Sequence, residues 1–186
     1  VVFLMLSLTF IRWHLLLRAQ GIRYDFKETY ILGFIGFFFN QFVPGSTGGD
    51  LIKAYYVAVE QPQYRAAGIT TVFLDRMIGL VVLIGIWGVA IFLNQKWIQT
   101  DPQIHLLSNF ILGFLGIFLL CGLLFFNDRI RTHPLIQKFF KKIPFHHHLN
   151  SIQAAVYTYK HHPRIVFISI GISVLVHLLL VVTCLC

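Results

Sequence analysis

"NQFVPGSTGGD", residues 40–50, is the stretch on which the fold of this chain turns. Before it runs "TYILGFIGFF" (29–38), apolar enough to lie inside a bilayer. Residues 44–50 then bring a proline, three glycines, two small hydroxyls and an acid. Such residues break a helix, and broken backbone facing lipid leaves N–H and C=O groups without partners. A turn at that place must be buried in protein or line a wet cavity.

The composition sets the surroundings. Hydrophobic residues make up 57% and charged residues 12%, with a mean hydropathy of +0.75, which excludes an ordinary soluble domain. The expected fold class is all-α: a polytopic helical membrane protein. Four stretches, about 1–17, 66–93, 104–126 and 165–186, approach or exceed the roughly 17–25 residues that a helix needs to cross the hydrocarbon core. Val1 already lies in an apolar run and "LLLVVTCLC" closes in another, so residues 1–186 read as a single transmembrane domain truncated at both ends, with no signal peptide to assign. Cys121, Cys184 and Cys186 lie in apolar runs and read as small buried hydrophobes, not as a disulfide or metal framework.

Lysines and arginines orient these spans. Arg18, Arg23 and Lys27 follow the first. The 127–164 stretch carries Arg129, Arg131, Lys138, Lys141, Lys142, Lys160 and Arg164 against the single acid Asp128, whereas the 94–103 loop has only Lys96, opposed by Asp101. By the positive-inside rule the two basic stretches are cytoplasmic and the 94–103 loop is outside. A full crossing by 28–43 would put the basic stretches on opposite faces. A segment that dips in and returns keeps both on one face, and 28–43 spans only about 24 Å as a helix. The pattern therefore predicts a re-entrant helical hairpin over 28–60, with "PGSTGG" at its tip. Farther on, Asn150 or Ser151 can cap a helix whose Ile152, Ala155, Val156 and Tyr159 share one face. With "KFFKK" (138–142) this predicts a basic amphipathic segment on the anionic leaflet, and "HHH" (146–148), lacking ligand partners, reads as a solvated loop.

Two half-helices meeting at depth aim their ends at one spot. Carbonyls of the entering helix favour a cation there, and free N–H groups of the returning helix favour an anion. Gly45, Gly48 and Gly49 allow positive φ and close approach of a ligand to the backbone. Asp50 reads either as the N-cap of the returning helix or as a proton- or cation-binding acid. Lys53, one turn on, can pair with Asp50 or meet a lipid phosphate. Gly33, Gly36 and Asn40 form a small-residue stripe suited to close helix packing, in which Asn40 is the member most suited to a binding role. Asp75 and Arg76 lie inside the 66–93 span, where each charge costs about 2.5–3.5 kcal/mol on insertion scales; if the span instead begins at Met77, both sit at headgroup level. Adjacent residues point about 100° apart, so the two should have different partners. Thr71, Asp75 and Gly79 share a face directed at the cavity, and the Arg76 fork suits phosphate.

"NQFVPGSTGGDLIKAYYV" (40–57) followed by "RAAGITTVFLDRMIGL" (65–80) resembles the lysylphosphatidylglycerol synthase transmembrane, flippase-like family. The resemblance implies translocation of a lipid or lipid-linked headgroup between leaflets, by a multi-pass protein of the bacterial cell (inner) membrane. Lys53 departs from the pattern, since relatives often carry Arg there. No soluble aminoacyl-transferase domain lies within these residues, so synthase activity is not carried over. The substrate-binding set is then Asn40, Gly45, Gly48, Gly49, Asp50, Lys53, Asp75 and Arg76. The expected partners are a phospholipid or polyprenyl-linked lipid and the membrane; a second copy of the chain is compatible, and no nucleic acid, metal or cofactor is expected. The alternative is a membrane-embedded transferase acting on a polyprenyl-phosphate-linked or phospholipid substrate, which the same acid-and-base cluster would serve, although no acid repeat or Ser/His/Asp set is present. A scaffold would have no need of charges inside a span.

Overall fold

In the computed structural model, which describes residues 1–42, 47–93, 102–126 and 157–185, regular structure is helical throughout, with no strand among the described residues. Helix α1, Val2–Ala19, ends at Gly21, whose φ of +74° is left-handed. The Gly21 N–H donates to the Arg18 carbonyl at 3.0 Å and the Ile22 N–H to that of Leu17 at 3.1 Å, satisfying two carbonyls of the last turn. Ile22 and Leu17 also share one buried cluster, the apolar contact that accompanies this type of cap. The chain reverses there into α2, Phe26–Phe42. Glu28 Oε2 accepts from the Asp25 N–H at 2.9 Å, which holds the start of α2.

Helix α3, Gly48–Glu60, returns antiparallel to α2. The two touch at glycines: a Cβ on Gly49 would stand 2.0 Å from the Gly36 carbonyl oxygen, so the backbones meet directly. At their open ends the Tyr24 hydroxyl donates to Glu60 Oε2 at 2.6 Å, and Gln61 Nε2 donates to the Arg23 carbonyl at 2.8 Å. Burial, reinforced by the Glu60 carboxylate, pushes the Tyr24 phenol well above its ordinary range, so it stays a donor. With 17 and 13 residues, α2 and α3 are about 25 and 20 Å long, both short of a ~30 Å hydrocarbon core. Val43, Pro44, Gly45 and Ser46 of the connecting turn lie outside the described residues.

A short 3-10 turn, Pro62–Tyr64, leads into α4, Arg65–Leu93. Helices α5, Pro102–Phe126, and α6, Pro163–Leu185, follow. Three segments are long and apolar enough to cross a membrane: Val2–Ala19, Pro62–Leu93 and Pro163–Cys184. In α5 the described apolar stretch is the shorter Gln103–Ile117. The chain divides into two units, Val1–Gly79 with His148–Cys186, and Leu80–His147. In the first, α1 is the central element. One of its faces packs Trp13 and Leu17 against Leu32, Val57 and Val72; another packs Leu16 and Ala19 against Tyr159, Leu74 and Ile165. In the second, Leu112 of α5 approaches Gly88 of α4, and Val82 and Ser108 are buried.

Three expectations change. Cys184 is exposed on α6 rather than buried, as fits a helix face turned to lipid. Tyr159 is buried on α1, its hydroxyl donating to the Leu16 carbonyl at 2.9 Å, instead of lying on the leaflet; the rest of that amphipathic segment, with "KFFKK" and "HHH", lies outside the described residues. The positive φ anticipated at Gly48 and Gly49 is absent, because both are helical; they are needed for close approach instead.

Glycine substitutions separate contact from mere helix propensity. Gly49→Ala sets a Cβ against unyielding backbone and should lower stability by about 1–3 kcal/mol, as overpacking does. Gly85→Ala meets nothing within 4 Å and should be neutral or stabilising by up to about 1 kcal/mol. Thermal melting in detergent reads both, and equal melting of the two variants would remove the backbone contact as the explanation.

Candidate functional site

Two ion pairs of the first unit differ in character. Arg12 lies in the middle of apolar α1, where an unpaired charge would be expensive. Its Nε donates to Asp75 Oδ1 at 2.7 Å, and its Nη1 donates to Ser173 Oγ of α6. Ser173 in turn donates to the Ser169 carbonyl at 2.9 Å. The Arg12 and Asp75 side chains are only 8% and 12% exposed, so this pair is shut inside the helix packing. Gly79, one turn beyond Asp75, faces the guanidinium, where a Cβ would stand 3.6 Å from Nη1, an ordinary contact. Thr71 is fully buried and donates to the Gly68 carbonyl at 2.6 Å. The Thr71–Asp75–Gly79 face, expected to line a cavity, therefore packs on α1.

The second pair joins the hairpin to α4. Arg76 Nε lies 2.7 Å from Asp50 Oδ2, with the side chains 37% and 25% exposed. Since Asp75 faces Arg12 and Arg76 faces Asp50, the neighbours have different partners, as the 100° helical step requires. Helix α4 runs unbroken from Arg65, so both charges lie within it. Asp50 is not an N-cap: that position is Thr47, whose carbonyl accepts from the Asp50 and Leu51 N–H groups at 3.1 Å. The free end of α3 is capped from the neighbouring helix instead, the Gly49 N–H donating to Asn40 Oδ1 at 2.7 Å. Asn40 thus holds the hairpin together near its turn.

Lys53 makes no ion pair with Asp50. Its side chain crosses α2 at Gly36 and is buried, 7% exposed, with Nζ 5.0 Å from the centroid of the Trp13 ring and 5.9 Å from that of Phe10. The ring faces supply electrostatic compensation for the ammonium, on the order of 2 kcal/mol when desolvated. Asn40, Gly48, Gly49, Asp50 and Arg76 are thereby linked into one set, through the Asn40 cap and the Asp50 pair, with Lys53 one turn along α3. Asp75 is turned away toward Arg12, and Gly45 lies outside the described residues. The sequence reading passes over Arg12, Trp13 and Ser173. The cost of a charge inside a span singles out Asp75 and applies to Arg12 equally, so that signal was present. A serine in an apolar helix carries none.

A family model described as Lysylphosphatidylglycerol synthase TM region matches residues 1–186, the whole chain. No curated protein and no solved structure matches it.

The unequal burial of the two pairs sets their energetic weight. Arg12→Gln or Asp75→Asn leaves a buried charge alone and should cost about 3–5 kcal/mol, with the double variant recovering much of that. Asp50→Asn and Arg76→Gln break a partly exposed pair and should cost less, about 1–2 kcal/mol each. A double-mutant cycle on each pair, read by chemical or thermal unfolding in detergent, gives the two coupling energies. Similar values would contradict this division.

Proposed function

We propose, since the chain belongs to the lysylphosphatidylglycerol synthase TM region family, whose setting is lipid modification or translocation in membranes, that it carries a lipid or lipid-linked headgroup between the leaflets of a bacterial cell membrane. The observation that carries this reading is the half-exposed Asp50–Arg76 pair between the hairpin and α4. This pair is less buried than Arg12–Asp75, so an incoming ligand that supplies equivalent charge-assisted bonds can replace either partner. A phosphate matches the Arg76 fork in two parallel bonds, and an amine or hydroxyl can take the place of Arg76 on Asp50. Lys53, released from Trp13 and Phe10, supplies a second cation one turn away. Gly49 lets α3 approach α2 closely, and Asn40 holds that approach by capping its N–H. Asp75 serves as the anchor of Arg12 and fixes the direction in which Arg76 points.

In this reading α2 and α3 dip into the membrane and return. Their short lengths and the Tyr24–Glu60 tie between their open ends support it. The arrangement also keeps Arg18, Arg23, Lys27 and Arg65 on one face together with the 127–164 stretch. Acyl chains stay in lipid while the polar head passes through the groove beside Asp50 and Arg76.

Cysteines placed at Lys27 and Gln63, both exposed, should be labelled by an impermeant reagent from the same, cytoplasmic face. Labelling from opposite faces would turn the hairpin into a crossing.

Transport itself is read with the protein reconstituted in vesicles. Arg76→Lys keeps the charge and loses the fork, and Asp50→Asn loses the acid. Each should slow headgroup movement at least about tenfold, the worth of a charge-assisted bond, with little change in melting temperature. Mass spectrometry of the lipid on arrival distinguishes transport, which leaves the headgroup unaltered, from a transferase, which changes it. Wild-type rates in both variants would take the pair out of the mechanism.

A further inference from the structure

At the other end of the hairpin from its turn, where α1 gives way to α2, lies a cavity of about 620 Å³. Small-ligand sites span roughly 300–1,000 Å³, so it has room for a polar headgroup. Ile22 and Tyr24, both buried, form its floor, and the exposed side chains of Arg18, Arg23, Asp25 and Glu28 form its walls. Two bases and two acids make the wall neutral. Among the described residues no ion pair joins these four. Opposite charges held apart around one hollow suit a ligand that carries both signs. A simple anion or cation would be repelled by half of the wall.

The depth of the cavity specifies the ligand further. Helix α1 is long and apolar enough to cross a membrane, so its end at Arg18–Gly21 falls at the level of lipid headgroups. Guanidinium forks there match a lipid phosphate. The carboxylates match an ammonium, and Glu28, which uses Oε2 to hold the Asp25 N–H, keeps Oε1 for it. Tyr24 is the one aromatic ring in the lining, and its hydroxyl is committed to Glu60. The aromatic cage that a quaternary ammonium prefers is therefore missing, whereas a primary ammonium brings three donors for the carboxylates. We propose that this cavity binds the headgroup of a zwitterionic aminophospholipid, with its phosphate on Arg18 and Arg23 and its primary ammonium on Asp25 and Glu28. A lipid held there bridges the end of α1 and the start of α2. The site is distinct from the Asp50–Arg76 pair and stands whether or not that pair transports anything.

The test is retention of lipid by the full protein in detergent, after exposure to vesicles of equimolar phosphatidylethanolamine, phosphatidylcholine and phosphatidylglycerol, read by native mass spectrometry. Wild type should retain phosphatidylethanolamine at least about tenfold over the other two, the worth of one charge-assisted bond. Arg18→Gln with Arg23→Gln should abolish that retention. Asp25→Asn should narrow the margin between phosphatidylethanolamine and phosphatidylcholine, which differ in the ammonium alone. Lys27→Gln, outside the lining, should behave as wild type. Equal retention of the three lipids by wild type overturns the proposal, as does retention that survives the double arginine variant or falls equally in Lys27→Gln. An unchanged margin in Asp25→Asn overturns the placement of the ammonium. Soluble phosphoethanolamine binding as tightly as the lipid overturns the lipid as its source.

Discussion

Arg12 is the residue on which the remaining arrangement depends. A guanidinium in the middle of an apolar helix cannot stay unpaired, and here it draws Asp75 of α4 and Ser173 of α6 to α1. Three helices are thus set in register by one side chain. Dispersion between leucines and isoleucines tolerates sliding by a turn, whereas a buried charge pair does not. Small residues complete the fit, since Gly79 lies against the guanidinium and the Ser173 hydroxyl donates its own hydrogen bond to the Ser169 carbonyl. With Asp75 committed to α1, the 100° step of the helix sends Arg76 toward the hairpin, so the buried pair decides where the half-exposed one forms.

The hairpin obeys a different constraint. Its helices approach until backbone meets backbone at Gly36 and Gly49, a distance that no side chain permits. That contact brings Asn40 within reach of the Gly49 N–H, so the orphan donor at the start of α3 is satisfied by the opposite helix and not by its own cap residue. At the far end Tyr24 and Glu60 close the pair, and Lys53 is stowed beneath the rings of α1.

Charge is distributed by burial. With 15 basic and 7 acidic residues the chain carries a formal net charge of +8 at pH 7, suited to an anionic leaflet. Within the helices, the buried Arg12–Asp75 pair holds the architecture, and the Asp50–Arg76 pair is the more exposed of the two. The cavity beside Arg18 and Arg23 belongs to neither pair. Its opposed charges stay apart because the Gly21 turn and the Glu28 contact at the start of α2 place them around a hollow.

The amino-acid sequence by itself determined that this is a helical membrane protein, where three of its apolar helices run, and that the Pro-Gly stretch after residue 43 must interrupt a helix. Apolar length, helix breakers and the cost of charge in lipid are local properties, legible along the chain. The separate partners of Asp75 and Arg76 also followed from helical geometry alone. Tertiary structure alone decided who those partners are. Nothing along the chain marks Ser173, 161 residues from Arg12, as the acceptor of its second nitrogen, because a serine in an apolar helix looks like any other. Nor does sequence say that Gly49 serves packing where positive φ was expected, that Asn40 caps a helix other than its own, or that Lys53 lies under Trp13 and Phe10. Each of these is a contact between segments, and its identity depends on distances that exist only once the helices have packed.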